Sequence, residues 1–474
     1  MPLRLPTRLR RDHRSGSRRR HAAAASLALA AALAGCADPA KPPNLLLITV
    51  DTLRPDRLEC YGGKPGVGAA MCALAEHGTR FQWAIAAAPY TGPSVASILT
   101  SSYPAEHGVT QSAMSYLRDA NVTVAEVLRA AGYLTAAFVS NPVLDKSRSL
   151  DQGFAVYDQR MRQRERNRPR YVERIAQDTT DAALAWAQVA VSEPWFLWVH
   201  FQDPHGPYDP PVAASVADRP NEERLPVRPD HSGHGGIPAY QALPRLFTAR
   251  AYERRYLDEI RYLDPHVRRL VEGLDALGEP PAVLLTSDHG EAFGEDEVWF
   301  AHGHSLGLDQ IRVPLLWRPP QPRAPAVVAR PVSLLDVAPT LLRVAGLELP
   351  PGFQGRPLPV PETGDAESSE RLIFSEHAHR LAVIAGDVYY ARDRRRIGED
   401  ERDTVSGGRI RAFPRRSARL SAEAGFPGYI PGDAKGLEAA LADYLEATRF
   451  RRGAHRSELP EGTQETLSAL GYLE

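Results

Sequence analysis

The stretch Asn44-Leu45-Leu46-Leu47-Ile48-Thr49-Val50, ending at Asp51, decides the fold. Its apolar run lacks the alternation of a half-solvated strand, so it reads as a strand buried on both faces, as inside a parallel sheet. Tyr133 to Val139, Phe196 to Phe201 and Ala282 to Thr286 repeat the pattern downstream. Between them lie helical patterns at about 68–78, 94–100 with Pro93 near its first turn, 122–131, 172–191 and 248–277. Strands alternating with helices predict a doubly wound α/β sheet with helices on both faces. Residues 208–244, rich in Pro, Gly, Asp and His, read as a long surface loop.

The pattern changes near residue 365. Leu381 to Ala391 reads as a hairpin turning at Gly386-Asp387, a charged loop follows to Gly408, and Gly436 to Phe450 is helical. The expectation is a catalytic domain over 44–364 and a small α+β subdomain over 365–474. The 474 residues, 24% charged and 43% hydrophobic, suit that size of soluble globular chain.

Arg18-Arg19-Arg20 precedes an apolar stretch, Ala22 to Ala34, too short to cross a bilayer as a helix. A charged start, a short apolar centre and small residues at the end predict a secretory signal over residues 1–35. Its close, Leu33-Ala34-Gly35-Cys36, resembles the bacterial lipobox, in which the cysteine is lipidated. Residues 36–43 then form a Pro-rich tether, and the protein is expected on the periplasmic side of the envelope, held to the membrane by lipid alone. Asp38, second rather than first after Cys36, favours the outer membrane. The signal holds eight arginines and one acid; the remaining chain carries 49 basic and 57 acidic side chains, which argues against a nucleic-acid partner. Cys60 and Cys72 can pair in an oxidising compartment, although their spacing does not require it.

Ligands of α/β sheets bind at the carboxyl ends of the strands. Three polar clusters fall there: Asp51, His200 to His205, and Asp288-His289 followed by Gly290-Glu291. One Asp after a strand is usually a cap and one His usually a solvated residue. Several acids and imidazoles at one sheet edge suit Zn²⁺ or Mn²⁺ better than Ca²⁺, which prefers oxygen donors. His302-Gly303-His304 adds two imidazoles, whereas His231 and His234 read as surface residues of the long loop.

Longer motifs make the reading specific. NLLLITVDTLRPDRLECYG (44–62) and APYTGPSVASILTSSYPAEHGV (88–109) resemble the opening and signature segments of sulfatases, members of the alkaline-phosphatase superfamily. SDHGEAFGE (287–295), AHGHSL (301–306), RVPLLWRP (312–319), SLLDVAPTLLRVAG (333–346) and the ending ETLSALGYLE continue the resemblance in order. Thr91 stands where sulfatases carry the Cys or Ser that becomes formylglycine, Pro93 matches the motif's Pro, and Val95 replaces its Arg. Thr52 stands at a second metal-binding Asp, and His289 where many sulfatases have Asn. These departures resemble the threonine-nucleophile branches of the superfamily.

That resemblance implies a metal held by Asp51, Thr91, Asp288 and His289, with Thr91 as nucleophile. His205 and His302 become candidates for charge stabilisation and leaving-group protonation, with Asn141 and His304 contacting substrate. A second metal could use Asp203 with His205 and His304. The activity expected is hydrolysis of sulfate or phosphate esters of a small molecule, glycan or lipid. The alternatives are a phosphoethanolamine-type transferase acting on an envelope glycan or lipid, and a catalytically inactive binding protein. The transferase is less favoured because such enzymes commonly carry several membrane helices, and the binding protein because Asp51, Thr91, Asp288 and His289 are all retained.

Overall fold

Along Leu45–Val50 (β1), Leu46, Ile48 and Val50 enter one apolar core while Leu45 and Leu47 enter another on the opposite face. The computed structural model describes residues 41–165, 172–190, 194–212, 216–363, 371–386, 388–393, 409–412 and 434–448. The signal segment, Cys36, most of the tether and the ending ETLSALGYLE lie outside them. Each fully buried Leu of β1 contributes about 1.5–3 kcal/mol of transfer free energy.

The other strands of the main sheet are Thr79–Ile85 (β2), Leu134–Val139 (β3), Val156–Asp158 (β4), Trp195–Phe201 (β5), Ala282–Ser287 (β6), Arg312–Arg318 (β7), Ala326–Val328 (β8) and Val332–Ser333 (β9). They run in the order β8-β2-β7-β6-β1-β5-β3-β4, with β9 also on β2. The centre, from β6 to β4, is parallel as expected. The sheet is mixed beyond it, because β7 pairs antiparallel with both β6 and β2.

Helices cover both faces. Ala69–Glu76 (α1), Ala176–Ala187 (α4) and Ala249–Asp275 (α5) supply residues to one core. Thr91–Thr100 (α2), Val124–Ala130 (α3) and Val337–Val344 (α6) supply the other. Local signals explain several starts. Thr123 and Glu126 form a capping box before α3, and the Thr248 hydroxyl accepts from Ala251 N at the start of α5.

The helix expected over 172–191 is shorter. Val172–Glu173 pairs with Gln163–Arg164 as a small antiparallel ribbon, and the buried Arg174 side chain pairs with Asp158, so the chain turns helical only at Ala176. The long loop contains a two-residue parallel pair, Val227–Arg228 with Ile237–Pro238.

Leu372–Glu376 (β10), Arg380–Ala385 (β11), Val388–Asp393 (β12) and Arg409–Ala412 (β13) form a separate antiparallel sheet carrying Ala434–Thr448 (α7). This matches the expected hairpin and small α+β unit. It packs closely on the main body: Phe374 and Tyr444 lie edge-on to Tyr103, and Tyr389 OH donates to Leu306 O. The described residues from Pro43 onward form one compact unit. Cys60 and Cys72 are disulfide-bonded, tying the turn at Glu59–Tyr61 to α1.

Candidate active site

Strand register builds the floor of the site. Val50 lies opposite both Ser287 and Phe201, so Asp51 emerges beside Asp288 and Gln202, while Asn141 emerges two residues beyond β3. Asp51, Asp288 and His289 are fully buried, as is Thr91. Thr91 is the first residue of α2, three residues ahead of the expected start. Gly92 permits this entry, since a side chain there would stand 2.8 Å from Ser112 Cα. Its N–H donates to Ser112 Oγ. The Thr91 hydroxyl thus sits at the positive end of a helix, where developing negative charge is favoured.

The side chains converge. His289 donates through Nδ1 to Gly290 O at 2.9 Å, leaving its Nε2 lone pair directed inward. That nitrogen lies 3.2 Å from Thr91 Oγ1 and 3.5 Å from both Asp51 Oδ1 and Asp288 Oδ2. Burial alone would raise Asp51, but His205, His200 and His289 hold it well below its ordinary range. Burial, and next the charge of Asp51, push Asp288 well above its own. Asp51 Oδ1, Asp288 Oδ2 and His200 Nε2 are buried without hydrogen-bond partners. Asp51, His200 and Asp288 bring ligand atoms within 4.8 Å of one another, a group suited to a divalent cation. Of the expected ligands, Asp51 and Asp288 belong to this group, and His289 Nε2 stands beside both.

His200 was not among the expected ligands. Its Nδ1 lies 2.8 Å from Thr49 Oγ1, and its Nε2 is 3.6 Å from Asp51 Oδ2. The sequence signal was a lone imidazole within the apolar run Phe196 to Phe201, which reads first as a core residue. Thr52 is buried in a left-handed conformation with φ 55°, and its hydroxyl has no hydrogen-bond partner. A β-branched residue there costs roughly 1–3 kcal/mol. Val95 packs in the apolar core, so this helical position supplies no cation to the site.

Two expectations change. Asn141 donates through Nδ2 to Asp51 Oδ2 at 2.5 Å and accepts Val143 N at Oδ1. Its amide is thus directed at Asp51 and positions that carboxylate. Asp203, His205 and His304 do not form a metal-binding group among the described residues. Asp203 instead borders a cavity shared with Glu259, and burial raises its carboxyl to about 7. His304 is half-buried and faces His234 of the long loop, their rings 6.2 Å apart. His231, the other loop histidine, stacks on Tyr240.

His205 and His302 form the wall beside the floor. Their rings are 5.1 Å apart, and the His302 ring is 4.4 Å from that of His289. His205 donates through Nδ1 to Gly206 O. Burial lowers His205 to about 4 and His302 well below its ordinary range. His302 Nδ1 lies 3.0 Å from Glu291 Oε1. The sequence reading met Glu291 only as a neighbour of the Asp-His pair. Arg54 is held elsewhere, by Asp56, Glu295 and the main-chain oxygen of Glu291.

The family model described as Sulfatase matches residues 43–347. Steryl-sulfatase of Mus musculus is 28% identical over 436 residues, covering 73% of this chain and 69% of that protein. Choline-sulfatase of Rhizobium meliloti is 26% identical, covering 79% of this chain and 83% of its own length. The phosphonate monoester hydrolase structure from Silicibacter pomeroyi superposes with a TM-score of 0.60 at 22% identity, covering 90% of this chain and 97% of that one.

Proposed function

Because the chain belongs to the sulfatase family, and so is a hydrolase of sulfuric or phosphoric esters, we propose that it cleaves them through the Thr91 hydroxyl at a metal-dependent centre. The observation that carries this reading is the placement of Thr91 Oγ1 at a helix start, 3.2 Å from His289 Nε2 and beside two buried carboxylates with unpartnered oxygens. Asp51, Asp288, His289 and His200 would hold the cation, with imidazole favouring Zn²⁺ or Mn²⁺ over Ca²⁺. When bound, it supplies Lewis-acid charge that favours the Thr91 alkoxide and the oxygens of the ester. Asn141 fixes the Asp51 carboxylate. Thr91 attacks sulfur or phosphorus as the alkoxide, the imidazolium form of His302 protonates the departing oxygen, and water then cleaves the threonyl ester beside His205.

The test is a side-by-side assay of residues 37–474 on aryl sulfate, phosphate monoester, phosphate diester and phosphonate monoester, each with Zn²⁺, Mn²⁺ and Ca²⁺. Turnover should vanish in Thr91→Ala while the melting temperature holds. Full activity in that variant sinks the nucleophile assignment, and the preferred ester decides between sulfuryl and phosphoryl chemistry.

The cellular setting is part of the same proposal: export under the signal over residues 1–35, with a lipid on Cys36. The Cys60–Cys72 disulfide supports an oxidising compartment. Labelling cells with a clickable palmitate analogue should mark the wild-type protein and not Cys36→Ser; equal labelling of both rejects the anchor.

A further inference from the structure

The geometry points to Glu291 as the residue that positions His302 to protonate the leaving group, an assignment that rests on the hydrolase reading above. Glu291 is fully buried at the bend after β6. Its Oε1 lies 3.0 Å from His302 Nδ1, and its Oε2 accepts Tyr208 OH at 2.9 Å. Its main-chain oxygen accepts Arg54 NH1 at 2.9 Å. Held at both carboxyl oxygens and at its backbone, Glu291 has little freedom to turn away.

A partner at Nδ1 fixes the plane of an imidazole and leaves Nε2 as the nitrogen available for chemistry. The His302 ring already packs against His289 and His205, next to Thr91. Tyr208 lies three residues after His205, so one carboxylate links the segment carrying His205 to the segment carrying His302. In the first chemical step the bond from Thr91 Oγ to sulfur or phosphorus forms and the bond to the leaving oxygen breaks. Thr91 reacts as the alkoxide, its hydroxyl proton having passed to solvent. The departing oxygen keeps the electron pair and takes the Nε2 proton of His302 in its imidazolium form, which keeps Nδ1–H on Glu291 and returns to the neutral ring. Glu291 exchanges no atom with substrate, which makes it a positioning residue.

The dependence of rate on leaving group separates this role from a merely structural one. The probes are the phenyl and 4-nitrophenyl esters of whichever acid (sulfate, phosphate or phosphonate) the wild type hydrolyses fastest, measured in Glu291→Gln, His302→Ala and the double variant. Phenolate needs a proton far more than 4-nitrophenolate does. Glu291→Gln should therefore lose about 10–100-fold in kcat on the phenyl ester and only a few-fold on the nitrophenyl ester. The double variant should be no slower than His302→Ala, because Glu291 acts through that ring. Metal content and melting temperature report whether each variant is folded and loaded. Equal losses on the two esters, or losses that multiply in the double variant, overturn the assignment. If His302→Ala itself is indifferent to leaving group while Glu291→Gln is not, the role given to His302 falls and Glu291 must act on another group.

Discussion

Two pairs of buried acids lie beside the strand ends of this chain, and one member sets them apart: burial raises Asp288, Asp203 and Glu259, whereas Asp51 is held down. Asp51 and Asp288 face His200, His289 and His205, and Asp51 stays ionised against its burial. Asp203 and Glu259 border a cavity two residues past β5; burial raises Asp203 to about 7, and burial followed by the charge of Asp203 raises Glu259 well above its ordinary range. Burial is common to both pairs, so it does not explain the contrast. The imidazoles around Asp51 preserve its charge although its neighbour Asp288 is raised, and unpartnered oxygens around that charge make a place for a cation. At Asp203 and Glu259 burial prevails and makes a place for a proton.

The contrast is broken most severely at Asp51. Asp51→Asn should strip the bound metal, read by elemental analysis of the purified protein. It should also lower kcat on the order of 10⁴-fold, the scale for removing one member of a catalytic unit. Retained metal and near-normal kcat would mean that the floor is not a cation site. A smaller effect is expected at Asn141, which hydrogen-bonds to Asp51. Asn141→Ala should weaken metal binding by about 10–100-fold in a chelator titration; a change in KM with unaltered metal affinity would restore it as a substrate contact.

The smallest effect sharpens the other side of the comparison. The folded-state value of Asp203, about 7, lies above its ordinary 3.8, so folding favours the proton. Its contribution is fully present below about pH 4 and is lost as pH rises through 7. Asp203→Asn should leave the melting temperature unchanged near pH 4 and raise it at pH 8 by roughly 1 °C for each kcal/mol relieved. Loss of a second equivalent of metal in that variant would reinstate Asp203 as a ligand and dissolve the contrast.

Legibility followed burial. The parallel centre was readable because strands covered on both faces are apolar without alternation, as in Leu45 to Val50 and Ala282 to Thr286. Asp51, Asp288 and His289 were readable because each follows such a run. His200 was obscured by lying inside one, where a polar residue ordinarily signals a satisfied core group. The start of α2 was placed late because Thr-Gly-Pro reads as a breaker, whereas close packing of Gly92 on Ser112 lets the helix begin at Thr91. Val172 looked helical in isolation, but ribbon pairing and the buried ion pair of Arg174 with Asp158 hold that segment extended.

From sequence alone came the family resemblance, the α/β alternation and Thr91 with three of its neighbours in the proposed centre, because hydrophobic period and motif order are local properties of the chain. The tertiary structure decided the rest. It turned Asn141 toward Asp51 and Glu291 toward His302, placed Asp203 at a cavity with Glu259, and brought His200 to the floor. Those outcomes depend on where a side chain points after strands 90 to 240 residues apart have been brought into register. Hydrogen bonds of about 3 Å are decided by that register and packing, and no spacing along the chain encodes them.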